Sequence, residues 1–347
     1  MRNFLNRYYK EKISALPQNN NLLPTPCCLL PKKDCRLSTA DCRLAPAERR
    51  LAILVDKRGW AYHEKAEEKA RYIRDVWHTE FFFLEDKPVI DPSKFDLLYN
   101  FNHTPSHYDE LFHGRLIKGL YSHYHHSSLI PWRYVYNMVK HAAVLVVANR
   151  EQAEEISPWF RNTVVLPDGV DPDVFYFEKE RTGDDIVAGW SGNPDRRLGG
   201  RRVKRFYEVI EPACREAGVE LKVARNMSRD EMRRMYNDVD VVLIASVTEG
   251  NPLSLLEAGA CGRTVIATRV GVVPEIIEDG VDGFIIDSDL SDLLTSDLLT
   301  FRLRWSRQHP AEVRLMGQRL REKILLTRTP ALTGQSFKSL LNNLISR

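Results

Sequence analysis

Two glutamates eight residues apart are the residues of this sequence best suited to chemistry. Glu249 follows a short apolar run, and Glu257 lies within LSLLEAGA, a segment with helix-forming composition. Carboxylates accept hydrogen bonds from hydroxyl groups, and free N–H groups of Leu253, Ser254 and Leu255 at the helix start would suit a phosphate. The spacing suits a nucleotide sugar, and it is equally compatible with two solvated glutamates beside a helix start.

The segments around these glutamates predict a β-α-β-α-β unit. Asn251 is the expected N-cap of the first helix and Pro252 its first residue, where a missing N–H costs nothing. The predicted strands are 241–245, 264–268 and 284–287; Gly262 ends the first helix, and a short second helix begins at Pro274 and closes at Gly280. This pattern is half of a doubly wound nucleotide-binding domain.

EGNPLSLLEAGACG followed by TRVGVVPEIIEDGVDGFII closely resembles the donor-binding signature of the retaining GT-B glycosyltransferases of family four, the glycogen-synthase-like group 1 enzymes. The resemblance implies that Glu249 contacts the donor sugar near the bond that breaks and that Glu257 holds the ribose. Two departures are Asn251, where an aromatic residue is common, and 272–273, where Val-Val replaces a glycine-containing pair. The donor-binding residues implied here are Gly250, Asn251, Pro252, Leu253, Ser254 and Glu257.

A basic segment, SGNPDRRLGGRRVKRF, precedes the next predicted helix. Flexible backbone with fixed positive charge suits a diphosphate, and the family places an arginine and a lysine here to neutralise the leaving nucleotide. Lys204 aligns with that lysine, as a catalytic residue, whereas the arginine position holds Ser191 or Asn193. Arg197 is our candidate to replace it, together with Asn193 in the donor site; Arg201 and Arg202 are alternatives, as is a solvated basic loop.

The amino-terminal half supplies weaker candidates. LAILVD predicts a strand whose following loop carries Gly59 and Trp60, both expected in the donor cleft, and the absence of Gly-x-Gly-x-x-Gly disfavours an NAD-dependent dehydrogenase. RLIKGLYSHYHHSS predicts a strand whose carboxyl end delivers His123 to the cleft, and the resemblance implies a place near the reacting sugar. His125 is the alternative for that catalytic role, and a structural histidine is a further one. The irregular histidine spacing disfavours a metal, so we predict none.

The resemblance implies a two-domain GT-B architecture of two Rossmann-like sheets facing a cleft. TVVLPDGVDPDVFYF resembles the family's Asn-Gly-Val-Asp-x-x-x-Phe crossing between the domains, with Asp168 in place of asparagine. We expect a poorly ordered extension at 1–48, an acceptor domain at 49–175, a nucleotide-sugar donor domain at 176–325, and a helix at 326–347 that crosses back onto the first domain.

Composition limits the function classes. The 347 residues are 43% hydrophobic, and 50 basic against 47 acidic residues give a net charge of +3, which argues against a dedicated nucleic-acid binder. No apolar run of about 18 residues and no signal-peptide core occur, which predicts a cytoplasmic protein with at most peripheral contact with the inner membrane surface. Four of six cysteines precede residue 43 without a Cys-x-x-Cys pair, which disfavours zinc at 27–42.

The function implied by the resemblance is retaining, metal-independent transfer of a hexosyl or other glycosyl group in carbohydrate biosynthesis. The nucleotide-diphosphate sugar is the co-substrate, no further cofactor is expected, and the acceptor is an unidentified glycan, lipid or small molecule. The alternative is a catalytically inactive nucleotide-sugar-binding or scaffold protein of the same fold. An epimerase lacks the proline-helix signature, and a phosphorylase would need a longer chain.

Overall fold

A computed structural model describes residues 49–102, 104–121, 132–158, 160–181, 183, 185–198 and 200–345, with the backbone alone at 61 and 132–135. The predicted extension at 1–48, the zinc alternative at 27–42, and both candidate histidines, His123 and His125, lie outside the described residues. Residues 46–347 fall into one unit by their contacts.

The first sheet is parallel throughout, and its central strands are short, buried apolar runs of the kind found in parallel sheets. Its strands are β1 (Arg49–Val55), β2 (Trp77–Phe83), β3 (Leu97–Asn100), β4 (Leu116–Leu120), β5 (Ala142–Val147) and β6 (Thr163–Val165), in the order β2-β1-β3-β4-β5-β6. Its helices are α1 (Ala61–Arg71), α2 (His107–Leu111), α3 (Trp132–Val139) and α4 (Arg150–Ile156).

The second sheet repeats this plan with five parallel strands. They are β7 (Val187–Ser191), β10 (Glu220–Ala224), β11 (Val241–Ile244), β12 (Thr264–Thr268) and β13 (Phe284–Ile286), in the order β10-β7-β11-β12-β13; a small hairpin of β8 (Arg197–Leu198) and β9 (Arg201–Arg202) follows β7. The helices are α5 (Glu211–Ala217), which continues a π-helical turn at Phe206–Ile210, α6 (Arg229–Asn237), α7 (Leu253–Ala260), α8 (Val273–Ile276), α9 (Asp292–Gln308) and α10 (Pro310–Thr327).

Each sheet has one point where the chain order reverses, and this point decides where a ligand fits. In the first sheet β1 lies between β2 and β3, and in the second sheet β7 lies between β10 and β11. Open parallel sheets bind ligands in the crevice outside the carboxyl ends of the strands at such a switch point. The loops that follow β1, β7 and β11 are therefore the places to look for a site.

The last helix, α11 (Pro330–Ile345), returns to the first sheet, as expected from the resemblance. Phe337, Leu340 and Leu341 are buried in the same hydrophobic cluster as Leu51 and Ile53 of β1. Burying each such side chain contributes about 1.5–3 kcal/mol. This packing ties the end of the chain to the first domain, by which we mean the first sheet with its helices.

The predicted elements are confirmed apart from their ends and an omitted strand. The short helix predicted from Pro274 to Gly280 is α8, Val273–Ile276, and ends four residues earlier than predicted, because Ile277 has an extended backbone. The segment TVV belongs to the motif that we interpret from sequence only as the crossing between the two domains. In the structure it forms the edge strand β6, which pairs in parallel with β5. Strand β2 pairs in parallel with β1 along its full length, from Trp77 to Phe83. Ser228 caps α6 in a capping box with Glu231.

Candidate active site

A cavity of about 740 Å³ lies between the loops at the two switch points. Its first-domain wall consists of Asp56, Trp60, Tyr62, Lys65 and Tyr121. Its second-domain wall includes Lys204, Glu249, Glu257, the segment 250–254, Ser191, Arg196 and Arg197. The two walls come from different sheets, so a ligand in this cavity would contact both domains.

A short ion pair occupies the centre of the second-domain wall. Lys204 Nζ donates to Glu249 Oε1 at 2.5 Å, and Ser246 Oγ donates to the same oxygen at 2.8 Å. Burial acts to raise the pKa of Glu249, but the charge and hydrogen bond of Lys204 outweigh it and hold the pKa below its ordinary value. Glu249 is therefore a carboxylate at neutral pH and can accept a hydroxyl proton in a hydrogen bond.

The neighbours of Lys204 fix its position. Arg205 is fully buried with a left-handed backbone (φ +49°), and its Nε donates to the Ala245 carbonyl at 2.5 Å. The amide of Val247 donates to the carbonyl of Val203 at 2.9 Å. These bonds tie both sides of Lys204 to the loop after β11 that carries Glu249, so the ammonium and the carboxylate are held together by the backbone as well as by charge.

Gly250 is needed because the first domain approaches its backbone closely. A Cβ at this position would lie 2.2 Å from the Tyr121 carbonyl oxygen. The Gly250 carbonyl accepts hydrogen bonds from Asn149 Nδ2 at 2.9 Å and from the Val272 amide at 3.2 Å. The loop after Glu249 is thus held by the first domain on one side and by the start of α8 on the other.

The start of α7 differs from the prediction in two respects. Pro252 is the N-cap, and the helix begins at Leu253, because the Asn251 side chain is taken up elsewhere: its Nδ2 donates to Asp168 Oδ2 at 3.0 Å. The Leu255 amide donates to the Pro252 carbonyl at 3.0 Å, so it is not free for a phosphate. Leu253 and Ser254, the first two residues of the helix, line the cavity.

Asp168 joins the two domains in a buried charge cluster that the sequence did not reveal. It forms ion pairs with Lys65 and, at 3.1 Å, with Lys69, both on α1, and it accepts the hydrogen bond of Asn251. Burial alone would raise the pKa of Asp168, but the two lysines lower it far below its ordinary value. Asp168 therefore neutralises two cations of the first domain and positions the loop before α7.

Glu257 lies in a chain of hydroxyl contacts that leads back to β7. Tyr236 donates to Glu257 Oε2 at 3.0 Å, and its hydroxyl is 3.2 Å from Ser191 Oγ. Burial raises the pKa of Glu257, and the bond from Tyr236 opposes this shift only in part. Its carboxyl group reaches the cavity and can accept a ligand hydroxyl.

Among the arginines after β7, the structure favours Arg196 as the cation nearest a bound diphosphate, a residue that is not among the candidates from sequence. Arg201 pairs with Asp292 at 2.6 Å and Arg202 with Glu208 at 2.9 Å. Arg197 lines the cavity but donates to the Gly200 carbonyl at 2.7 Å. Arg196 also lines the cavity, and its charge contributes to the lowered pKa of Glu249. A cation that acts on Glu249 is close to where a diphosphate would be bound.

The structure brings most of the predicted residues together. Those that line the cavity are Glu249, Lys204, Gly250, Asn251, Pro252, Leu253, Ser254, Glu257, Arg197 and Trp60. Gly59 does not line it; its backbone has φ +70° and its amide donates to His63 Nδ1, which shapes the turn before α1. Asn193 does not line it either, because its Oδ1 accepts from the Asp195 amide. The predicted role of His123 stays a prediction.

Two further observations concern the described part of the chain. There, no group of three or more histidine, cysteine, aspartate or glutamate side chains has the geometry to hold a metal ion. No helix among the same residues has both the length and the apolar character needed to cross a bilayer.

Part of the chain matches a known protein family in sequence. Residues 198–300 match the family model described as glycosyl transferases group 1. The D-inositol 3-phosphate glycosyltransferase of Mycolicibacterium vanbaalenii is 37% identical over 81 residues, which is 21% of this chain and 18% of the relative. The chain thus aligns with less than a fifth of that relative's length.

Solved structures match over most of the chain at low identity. Sucrose-phosphate synthase from Thermosynechococcus elongatus superposes with a TM-score of 0.66 at 13% identity, over 86% of this chain and 100% of that one. Anabaena HepE in complex with UDP-glucose gives 0.65 at 14% identity, over 85% and 99%. The chain therefore has the GT-B fold of these structures, and its residues 198–300 match the family model of the group 1 glycosyltransferases.

Proposed function

We propose that this protein transfers a sugar from a nucleotide-diphosphate sugar to an acceptor hydroxyl, with retention of anomeric configuration and without a metal ion. The observation that carries the proposal is the ion pair of Lys204 and Glu249 beside the amides of Leu253 and Ser254, inside a cavity that both domains line. These groups place positive charge and a carboxylate within one site, as a diphosphate attached to a sugar requires.

Each group has a distinct part in this proposal. The diphosphate binds at Lys204, Arg196 and the amides that begin α7, where fixed donors meet the negative charge that develops as it leaves. Glu257 accepts from the ribose hydroxyls. Glu249, an anion held by Lys204 and Ser246, accepts from a hydroxyl of the transferred sugar and orients its ring.

The transfer exchanges one bond for another at the anomeric carbon. The bond from this carbon to the β-phosphate oxygen breaks, and its electron pair stays with the nucleoside diphosphate. The acceptor oxygen forms the new bond on the same face, and its proton passes to the departing phosphate oxygen. Lys204 and Arg196 supply on the chain itself the positive charge that this leaving group needs, which is our reason for proposing metal independence.

The identity of the donor is the first property to determine. We would record thermal shifts with UDP-, GDP-, ADP- and dTDP-sugars, starting with UDP-glucose because HepE was solved with it. The bound donor then serves in turnover assays, and NMR of the product would give its anomeric configuration. An inactive binding protein would be stabilised by a donor and yet release no nucleoside diphosphate, even by slow hydrolysis.

The decisive variant is Glu249→Ala. We expect turnover to fall by about 10²–10³-fold, because a preorganised polar group at the reacting sugar is lost. Glu249→Gln keeps the size of the side chain and removes its charge, and Glu312→Ala, on the exposed face of α10, serves as the matched control. Near-normal turnover of a folded Glu249→Ala protein would disprove the assignment.

A further inference from the structure

The first-domain wall of the cavity has no part in the donor binding described above. It follows β1 at the switch point of the first sheet, opposite the loops that carry Lys204 and Glu249. Transfer requires the acceptor hydroxyl to reach the anomeric carbon in the same cavity. The wall that faces the donor groups is therefore the surface against which the acceptor would lie.

Trp60 is the most exposed large side chain of this wall. Its side chain is 56% exposed although the residue lines the cavity. The left-handed turn at Gly59 precedes it, and Lys57 Nζ lies 5.0 Å from the ring centroid. An indole ring exposed in a concave site offers an apolar face to the C–H groups of a ligand.

Asp56 supplies a polar group on the same wall, four residues before Trp60. It is the first residue after β1, and its Oδ1 accepts from the Lys57 amide at 2.9 Å. Within the described part of the chain, no hydrogen bond uses its second carboxylate oxygen. This oxygen is available for a ligand hydroxyl.

The other members of the wall already have partners. The Lys65 ammonium is paired with Asp168, and the Tyr121 hydroxyl is hydrogen-bonded to that of Tyr99. Neither needs a ligand to be satisfied, so the wall offers an exposed aromatic ring and one carboxylate rather than unpaired positive charge. A sugar ring has an apolar face for the Trp60 ring and several hydroxyls at its edge, one of which can react while another binds the Asp56 carboxylate. A simple alkyl alcohol can contact the Trp60 ring, but its single hydroxyl is the one that reacts.

We infer that the acceptor is a sugar ring, which stacks on Trp60 and donates hydroxyl hydrogen bonds to Asp56. This inference rests on the proposed function and adds to it the chemical class of the acceptor. It also assigns Trp60 to the acceptor, whereas the sequence placed it among the donor-binding residues. The two assignments differ in a measurable way.

The experiment uses the full chain with its bound donor. Release of nucleoside diphosphate is measured with methyl α-D-glucopyranoside, methyl α-D-mannopyranoside and N-acetylglucosamine as ring probes, and with glycerol and 1-octanol as alcohols without a ring. The variants are Trp60→Ala, Trp60→Phe and Asp56→Asn. Phe301→Ala is the matched control, because Phe301 is 61% exposed on α9 and does not line the cavity.

We expect the ring probes to stimulate release in the unmodified protein and in Phe301→Ala. Trp60→Ala should raise the acceptor KM roughly tenfold, from the loss of a stacking contact, while Trp60→Phe retains most of the stimulation. Asp56→Asn should raise the KM by a smaller factor. The donor affinity of each variant is measured separately by thermal shift.

Three results would overturn the inference. They are stimulation of Trp60→Ala equal to that of the unmodified protein, a loss of donor affinity in Trp60→Ala that accounts for its lower rate, and no stimulation by any ring probe. In each of these cases donor hydrolysis by the unmodified protein would leave the proposed function in place. If no donor binds or is hydrolysed, the proposed function fails first, and the inference with it.

Discussion

The groups that would meet a ligand differ between the two walls of the cavity. On the second-domain wall, polar groups are bonded to one another: Lys204 to Glu249, and Glu257 to Tyr236. On the first-domain wall, Trp60 and Asp56 project from a turn and are exposed or half-buried. Preorganised donors suit a ligand part that is always the same, such as a diphosphate. An exposed turn suits a part that differs between relatives, since its residues can change without disturbing a network.

The cluster around Asp168 links the walls, and its loss should have the largest effect. Asp168→Asn would leave the Lys65 and Lys69 charges without their anion, and removing one partner of a buried pair costs about 3–5 kcal/mol. We expect the free energy of unfolding, measured with urea, to fall by that amount. Asp287→Asn removes a partner of the exposed Arg269 and should cost less than about 1 kcal/mol. Equal losses in the two variants would contradict the buried link.

The pH dependence of this link has a definite sign. The folded state lowers the pKa of Asp168, so its contribution is fully present above the pKa of an unfolded aspartate, about 3.9, and is lost as the pH falls through the folded value. The stability difference between the unmodified protein and Asp168→Asn should therefore stay constant from about pH 5 to 8 and shrink in stronger acid.

The second prediction tests whether the second-domain wall acts through its charge. Lys204→Ala removes a fixed cation near the proposed leaving group, and we expect kcat to fall by about 10²–10³-fold. Lys204→Arg retains the charge and should recover part of the activity. Lys222→Ala is the control, because Lys222 pairs with Asp238 on the exposed surface. A lower donor affinity with an unchanged kcat would instead assign Lys204 to binding alone.

The sequence predicts those parts of the site that are built from residues close together in the chain. Glu249, the start of α7 and Glu257 lie within one short segment, so local spacing and a resembling motif were enough to group them, and all of them line one cavity. The partners of these residues come from distant segments. Asp168 lies 83 residues from Asn251, and Tyr236 lies 21 residues from Glu257, and no local period reveals such pairs.

The N-cap of α7 shows how tertiary contacts overrule local preference. Asn251 has a side chain that caps helices well, and the sequence alone favours it. In the fold its amide nitrogen donates to Asp168, which binds it more strongly as a charged acceptor, and Pro252 takes the cap position. Strand β6 escaped prediction for a different reason: three residues are too few to show a period.

The smallest expected effect separates two neighbouring arginines on the second-domain wall. Arg196 acts electrostatically on Glu249, whereas Arg197 is bonded to the Gly200 carbonyl within its own hairpin. We expect Arg196→Ala to weaken binding of the free nucleoside diphosphate roughly tenfold, the value of one charge-assisted hydrogen bond, and Arg197→Ala to weaken it less than about threefold. Isothermal titration at low and high salt would measure both affinities, and the salt dependence should decrease in Arg196→Ala. The reverse order would return the missing phosphate-binding arginine to position 197, where the sequence had placed it, and would mean that the hairpin rearranges when the donor binds.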